Sequence, residues 1–285
     1  MALYLFQVLN GVGLGMIYFL MALGLTVIFG LLHFVNFAHG AFFLLGAYFC
    51  WQVGAVTGSF WVALLVAPLL VGALAWIAER VLIHRVYRLP HTFHILVTLG
   101  VALVIQEAAI LAWGLVGKSV PTPPALQGVV LVGPFAYPTY RIFVIAFAAA
   151  LAVVLWYALE RTRFGALVRA GSENGQMVAL LGVDVYRLFA VTFALGAALA
   201  GVAGVLAGPL HGAQPFMGAD ALGIAFVVVV VGGMGSFSGA LLGGLLVGLV
   251  QALTSSFWPQ GAHIMIYGAM AVVILLRPHG LLGRA

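Results

Sequence analysis

From Met1 to Ala78 the chain contains no aspartate, glutamate, lysine or arginine, and neither does Ala221 to Leu276. No other feature narrows the fold as much. A span of bilayer hydrocarbon takes about 20 apolar residues, so each block has room for several and can enter lipid without burying a formal charge. Across all 285 residues, 65% are hydrophobic and 6% charged, which leaves too little polar surface to cover a water-soluble globule. The chain therefore reads as all-α, a polytopic helical bundle in lipid. Its first apolar run lacks the basic region, short apolar core and small-residue cleavage site of a secretory signal, so it is expected to be retained as a span. Cys50 is the single cysteine, which excludes an internal disulfide.

Cutting at the polar breaks predicts helices over Phe6–Leu31, Gly40–Val56, Trp61–Ala78, Thr92–Trp113, Ile142–Leu159 and Leu188–Ala207. Three segments follow Asp220: one to Val231, then Gly239–Leu253 and Ala262–Leu276. The expectation is a single transmembrane domain over 1–285 with eight or nine crossings. Arg80, Arg85 and Arg88 share one connection, Arg161, Arg163, Arg169 and Arg187 another, and Arg277 and Arg284 the C-terminus. Placing all three on one side puts nine of the eleven basic residues in the cytoplasm. Lys118, Arg141, the Pro121-Thr-Pro-Pro124 stretch and the loop from His211 to Asp220 then face outward. An outside N-terminus gives nine crossings and an inside one gives eight. The net charge of +5 is a topology signal of this kind and does not indicate nucleic acid.

The two ends of the chain echo each other. Ala22-Leu-Gly24 and Gly40-Ala41 recur as Ala221-Leu-Gly223 and Gly239-Ala240, both at an offset of 199 residues. In each copy an apolar run stops at a small or polar knot, Asn36-Phe-Ala-His-Gly40 or Gly235-Ser-Phe-Ser-Gly239, before a second run begins. Discontinuous segments are thus expected near 32–40 and 232–239. They read either as broken helices beside a central pathway, with Asn36, His39, Gly40, Ser236, Ser238 and Gly239 lining it, or as short interfacial loops. Gly11/Gly15, Gly204/Gly208, Gly239/Gly243 and Gly244/Gly248 form Gly-x-x-x-Gly pairs that favour close helix packing or subunit pairing.

Seven of the seventeen formal charges fall between Glu160 and Arg187. Here Gly165 is expected to break a helix, Ser172 to cap a short one with Glu173 in its first turn, and Gly182 to stop it. Asp184 is placed to cap the next span. Met177, Leu180 and Leu181 share a face, with Arg169, Glu173, Asn174 and Gln176 as polar neighbours. Such a helix either fits a groove on a soluble partner or lies among lipid headgroups.

Several stretches resemble one family. Arg169-Ala170, Glu173-Asn174, Ala179-Leu-Leu-Gly-Val183 and Phe193-Ala-Leu-Gly-Ala-Ala-Leu-Ala-Gly201 are similar to the cytoplasmic loop and following helix of LivH-type permeases, the membrane subunits of branched-chain amino-acid ABC importers. Asn10-Gly11 through Tyr18, Ala22-Leu-Gly-Leu-Thr26 and Val35-Asn-Phe-Ala-His-Gly40 extend the resemblance. Leu99-Gly100 through Gln106-Glu107, Tyr140-Arg141 and Gly232-Gly-Met-Gly-Ser236 with Gly239-Ala240 carry it across nearly the whole chain. The resemblance implies alternating access in a bacterial or archaeal plasma membrane. It implies two ATP-binding cassette subunits, a second permease subunit of LivM-like type and a solute-binding protein as partners. It also implies that residues 161–187 form the ATPase-coupling segment, contacting through Arg169, Ser172, Glu173, Asn174, Met177, Leu180, Leu181 and Gly182. No Gly-x-x-x-x-Gly-Lys-Ser/Thr occurs, and Lys118 is the only lysine, so ATP and magnesium are expected on the partners, with no cofactor bound here.

The remaining polar residues suggest little other chemistry. Glu107 is read as an exception to the charge-free spans, either in the pathway or near the outer interface two turns before Trp113. His91 and His94 lack the cysteine or carboxylate companions of a metal site. Gly235-Ser-Phe-Ser-Gly239 has phenylalanine where a hydrolase elbow needs serine. The scarcity of buried charge suits an apolar amino acid. A permease for urea, short amides or another small solute is the alternative within the class, and an autonomous channel or ion-coupled carrier the alternative outside it.

Overall fold

The computed structural model describes residues 2–32, 34–87, 89–132 and 135–283; Arg88 and Arg284, two of the expected topology signals, lie outside them. The helices are α1 (Ala2–Leu32), α2 (His39–Thr57), α3 (Phe60–Val81), α4 (His91–Trp113), α5 (Thr139–Arg161), α6 (Arg163–Leu180), α7 (Val185–His211), α8 (Met217–Gly232), α9 (Phe237–Phe257) and α10 (Ala262–Leu276). Among the described residues eight helices are long and apolar enough to cross a membrane, namely all but α6 and α8. The protein is a multi-pass membrane protein. One element was not expected: strands β1 (Val129–Val132) and β2 (Phe135–Pro138) pair antiparallel just before α5.

The chain forms two compact units, one from Met1–Leu23, Pro121–Ala152 and Gly223–Ala285, the other from Gly24–Val120 and Val153–Leu222. In the first, the Gly-x-x-x-Gly pairs face each other. A Cβ on Gly15 would stand 2.8 Å from the Gly244 carbonyl oxygen, and one on Gly244 2.9 Å from the Phe19 nitrogen, so α1 and α9 touch backbone to backbone. Gly239 and Gly243 pack against the end of α8 in the same way, through Gly232 and Val228. These pairs are used inside the subunit. The hairpin is held to α1 by the Tyr137 hydroxyl, which donates to Asn10 Oδ1 at 3.2 Å, and by the edge of the Phe6 ring against Tyr137. Arg141 also donates to Asn10, so two of the fragments that carried the family resemblance meet in space.

The second unit is built around α2, α3 and α7. Gly46 lies on the Gly201 backbone, with a would-be Cβ 2.7 Å from Gly201 Cα, and Gly204 packs against Phe43 and Ala47. Gly72 meets Ala194 and Ala198 while Gly201 meets Val71 and Pro68, so α3 and α7 run antiparallel. Packing dominates here because helices in lipid gain nothing by hiding apolar surface from water. At one end of this unit Leu31, Val168 and Leu188 form a small core joined by Phe164, Leu167 and Phe189. That cluster brings the last turn of α1 to α6 and the first turn of α7.

Candidate functional site

The charged insertion is a longer helix than its sequence suggested. Thr162 caps α6, its hydroxyl accepting from the Gly165 N–H at 3.3 Å, so the helix starts at Arg163, well before Ser172. Gly165 does not break it. A Cβ there would strike the Leu159 backbone, and glycine instead permits the sharp turn from α5 into α6. The break falls at Asn174, whose backbone is extended (φ −155°, ψ 90°) and whose Oδ1 accepts from the Met177 N–H at 3.0 Å. Asn174 therefore caps the last turns, and Ser172 does not. An asparagine side chain standing in for a backbone carbonyl explains why the kink forms here. Gly182 ends the segment with φ +83°, and Asp184 caps α7 by accepting from the Arg187 N–H at 3.0 Å.

The two faces of α6 differ. Val168, Gly171 and Val178 are buried, whereas Met177 is 61% exposed and Leu180 and Leu181 are each 83% exposed. Arg169 donates to the Leu159 carbonyl at the end of α5 and lies 3.5 Å from Glu160 Oε2, so it ties the segment back to its own stem while remaining part exposed. Glu173 is exposed. Beneath the kink lies a cavity of about 480 Å³ bordered by Leu31, Leu32, Glu173, Tyr87, Tyr186 and Phe189.

The first helix break, between α1 and α2, is tied down by polar contacts. Asn36 and His39 are fully buried; Asn36 Oδ1 accepts from the Ala38 N–H at 3.0 Å, and the Phe37 N–H donates to Thr98 Oγ1 at 3.2 Å. His94 stacks on Phe34 at 4.7 Å, which gives this histidine a packing role. Gly40 lies against Gly218, where a Cβ would come within 2.9 Å of both the Gly218 carbonyl carbon and Leu222 Cβ. At the second break, between α8 and α9, Ser236 caps α9 by accepting from the Gly239 N–H at 3.0 Å. Ser238 is exposed and Gly239 buried. The tail closes this end: the Leu281 and Leu282 N–H groups donate to the Val231 and Gly232 carbonyls at 2.8 and 3.0 Å, satisfying acceptors that α8 leaves open. The sequence echo thus corresponds to a shared device. Each copy is helix, break, helix, with a side-chain oxygen accepting from a backbone N–H two or three residues on.

Glu107 lies on an exposed face of α4 and is not part of the core. Sequence reasoning passed over a different carboxylate, Glu79, which is fully buried in the last turn of α3. A signal was present. The C-terminal end of a helix dipole disfavours negative charge, so an acid at the end of an apolar span calls for a dedicated partner. That partner is Tyr87, whose hydroxyl donates to Glu79 Oε1 at 2.6 Å. Burial, and then the bond to Glu79, hold the Tyr87 phenol well above its usual range, so it remains a donor at any physiological pH.

The family model described as "Branched-chain amino acid transport system / permease component" matches residues 7–275. The chain belongs to this family. The high-affinity branched-chain amino acid transport system permease protein LivH of Escherichia coli is 33% identical over 99% of this chain and 96% of its own length. BraD of Pseudomonas aeruginosa, a permease protein of the same description, is 32% identical with the same coverage. The chain is also 29% identical to the high-affinity branched-chain amino acid transport system permease protein LivM of Escherichia coli, over 94% of this chain and 68% of that protein's length. No solved structure matches. Membership of this permease family makes the chain a transporter component.

Proposed function

We propose that the chain is the membrane-spanning permease subunit of an ATP-driven ABC importer for branched-chain or related apolar amino acids. The observation that carries this reading is the 33% identity to LivH along essentially the whole of both chains. Similarity to LivM supports a second, paralogous permease subunit as partner. ATP and magnesium belong on two ATP-binding cassette subunits, and a solute-binding protein delivers substrate from outside. The membrane is the plasma (inner) membrane, with 161–187 and the C-terminus in the cytoplasm.

The contact for the ATPase is α6 with the turn after it. Three exposed apolar side chains, Met177, Leu180 and Leu181, support that role, because they sit on a short kinked helix at the arginine-rich end. Packing of Leu31 against Val168 and Leu188 supports placing the end of α1 on the same side, which gives an outside N-terminus and nine crossings. The ninth is α8, whose 16 residues reach about 24 Å. Asn36, His39 and Gly40 at one break, Ser236, Ser238 and Gly239 at the other, and Glu107 are proposed to border the pathway. Asn36 and His39 have the strongest claim, as fully buried polar groups at the break between two apolar helices.

The substrate is tested by reconstituting the complete complex with its solute-binding protein and measuring uptake of labelled leucine, isoleucine, valine and urea. Saturable uptake of the branched-chain amino acids, unaffected by excess urea, is expected. Urea uptake that leucine does not inhibit would place the chain with the small-amide carriers instead.

A further inference from the structure

Glu79 does more than fill the end of α3. Its carboxylate is fully buried, Oε1 accepts from the Tyr87 hydroxyl, and Oε2 has only Arg80 Nε at 4.0 Å and no hydrogen bond among the described residues. Tyr87 in turn is one member of an aromatic plate. Its ring lies nearly parallel to Tyr186 (14°, centroids 6.4 Å apart) and edge-on to Phe189 (5.3 Å), while His84 meets both Tyr87 and Tyr186 edge-on. Tyr186 and Phe189 belong to the first turns of α7. All three rings border the 480 Å³ cavity beneath the kink of α6, opposite Glu173 and beside Leu31 and Leu32. A carboxylate at the end of α3 is therefore connected, through one short bond and one aromatic stack, to the surface on which α6 rests.

We infer that Glu79 is a positioning residue for energy coupling: by anchoring Tyr87 it holds the Tyr87–Tyr186–Phe189 plate as a rigid seat, so that a push on α6 moves α3 and α7 together. The inference rests on α6 being the ATPase contact. Its physical basis is the stiffness of a short, buried hydrogen bond. Such a bond fixes a phenol ring in one orientation where packing alone would leave it free to tilt into the cavity. Without it, α6 sinks toward the empty space when pressed, and ATP is hydrolysed with less transport per turnover.

The test uses the assembled transporter with Glu79→Leu, Glu79→Gln, Tyr87→Phe and the Glu79→Leu/Tyr87→Phe pair. Three quantities are read: ATPase subunit retained on purification, ATP hydrolysis, and substrate moved per ATP. Glu79→Leu and Tyr87→Phe are each expected to retain the ATPase subunit yet lower substrate moved per ATP by about tenfold, the effect of losing one buried hydrogen bond. Glu79→Gln, which keeps an acceptor, is expected to recover most of it. The pair should be no worse than either single change, since both remove the same bond. A parallel cycle on the thermal stability of the permease alone, using Glu79→Leu and Tyr87→Phe, reads the bond independently of transport and should be non-additive. Unchanged stoichiometry in variants of a working complex, or additive losses in either cycle, would overturn the inference. An unmodified complex that neither binds ATPase nor transports would overturn the importer reading and this inference with it.

Discussion

Replacing Leu180 and Leu181 together by aspartate is expected to abolish ATP-driven uptake by the assembled transporter, while the chain still inserts and purifies as before. Both side chains are 83% exposed, so the free subunit loses no packing by the change. In the docked complex they are expected to be buried, at a gain of ~1.5–3 kcal/mol each. Loss of both, with two carboxylates placed in a dry interface, removes about 3–6 kcal/mol, which is more than a hundredfold in affinity. Co-purification of the ATPase subunit measures this directly, and uptake should fall with it. Full uptake by the double variant would show that the exposed face of α6 is not the contact.

The second large effect concerns packing. Gly46→Val is expected to leave little folded protein, whereas Gly54→Val on the same helix should be silent. A Cβ at Gly46 would stand 2.7 Å from Gly201 Cα and 2.8 Å from its carbonyl carbon, and α7 has no flexible side chain there that could move aside. The helices must separate, and in lipid nothing compensates for the lost contact, so a cost on the order of 3 kcal/mol is expected. Gly54 has nothing within 4 Å of its would-be Cβ. The fraction of each variant that survives heating in detergent, read by size-exclusion chromatography, separates the two. Equal survival would mean that the α2–α7 contact does not hold this unit together.

The fold was largely legible because membrane-length apolar runs are a coarse signal that tertiary context cannot reverse. The predicted Thr92–Trp113 and Ile142–Leu159 helices correspond to α4 and α5, and Asp184 and Gly182 act as the cap and stop that their chemistry suggests. The extent of α6 was not legible. Gly165 looks like a breaker in sequence, yet it is helical, because what decides its role is the approach of the Leu159 carbonyl, a tertiary fact. The hairpin at Val129–Pro138 escaped notice because four-residue apolar runs are ambiguous beside much longer ones. Glu79 was hidden for another reason. It adjoins Arg80, so it reads as part of a polar boundary, and that masks the signal of an acid at a helix C-terminus until its complete burial and its bond to Tyr87 are seen.

The central claim is that this permease moves substrate only when an ATPase drives it. Uptake into proteoliposomes should be compared for the purified chain alone, for the chain with its second permease and ATPase subunits, and for that complex without ATP, each supplied with the solute-binding protein. The account predicts accumulation against a gradient only in the complete complex with ATP. Uptake by the chain alone, down a substrate or ion gradient and indifferent to ATP, would contradict it and make the protein an autonomous channel or carrier.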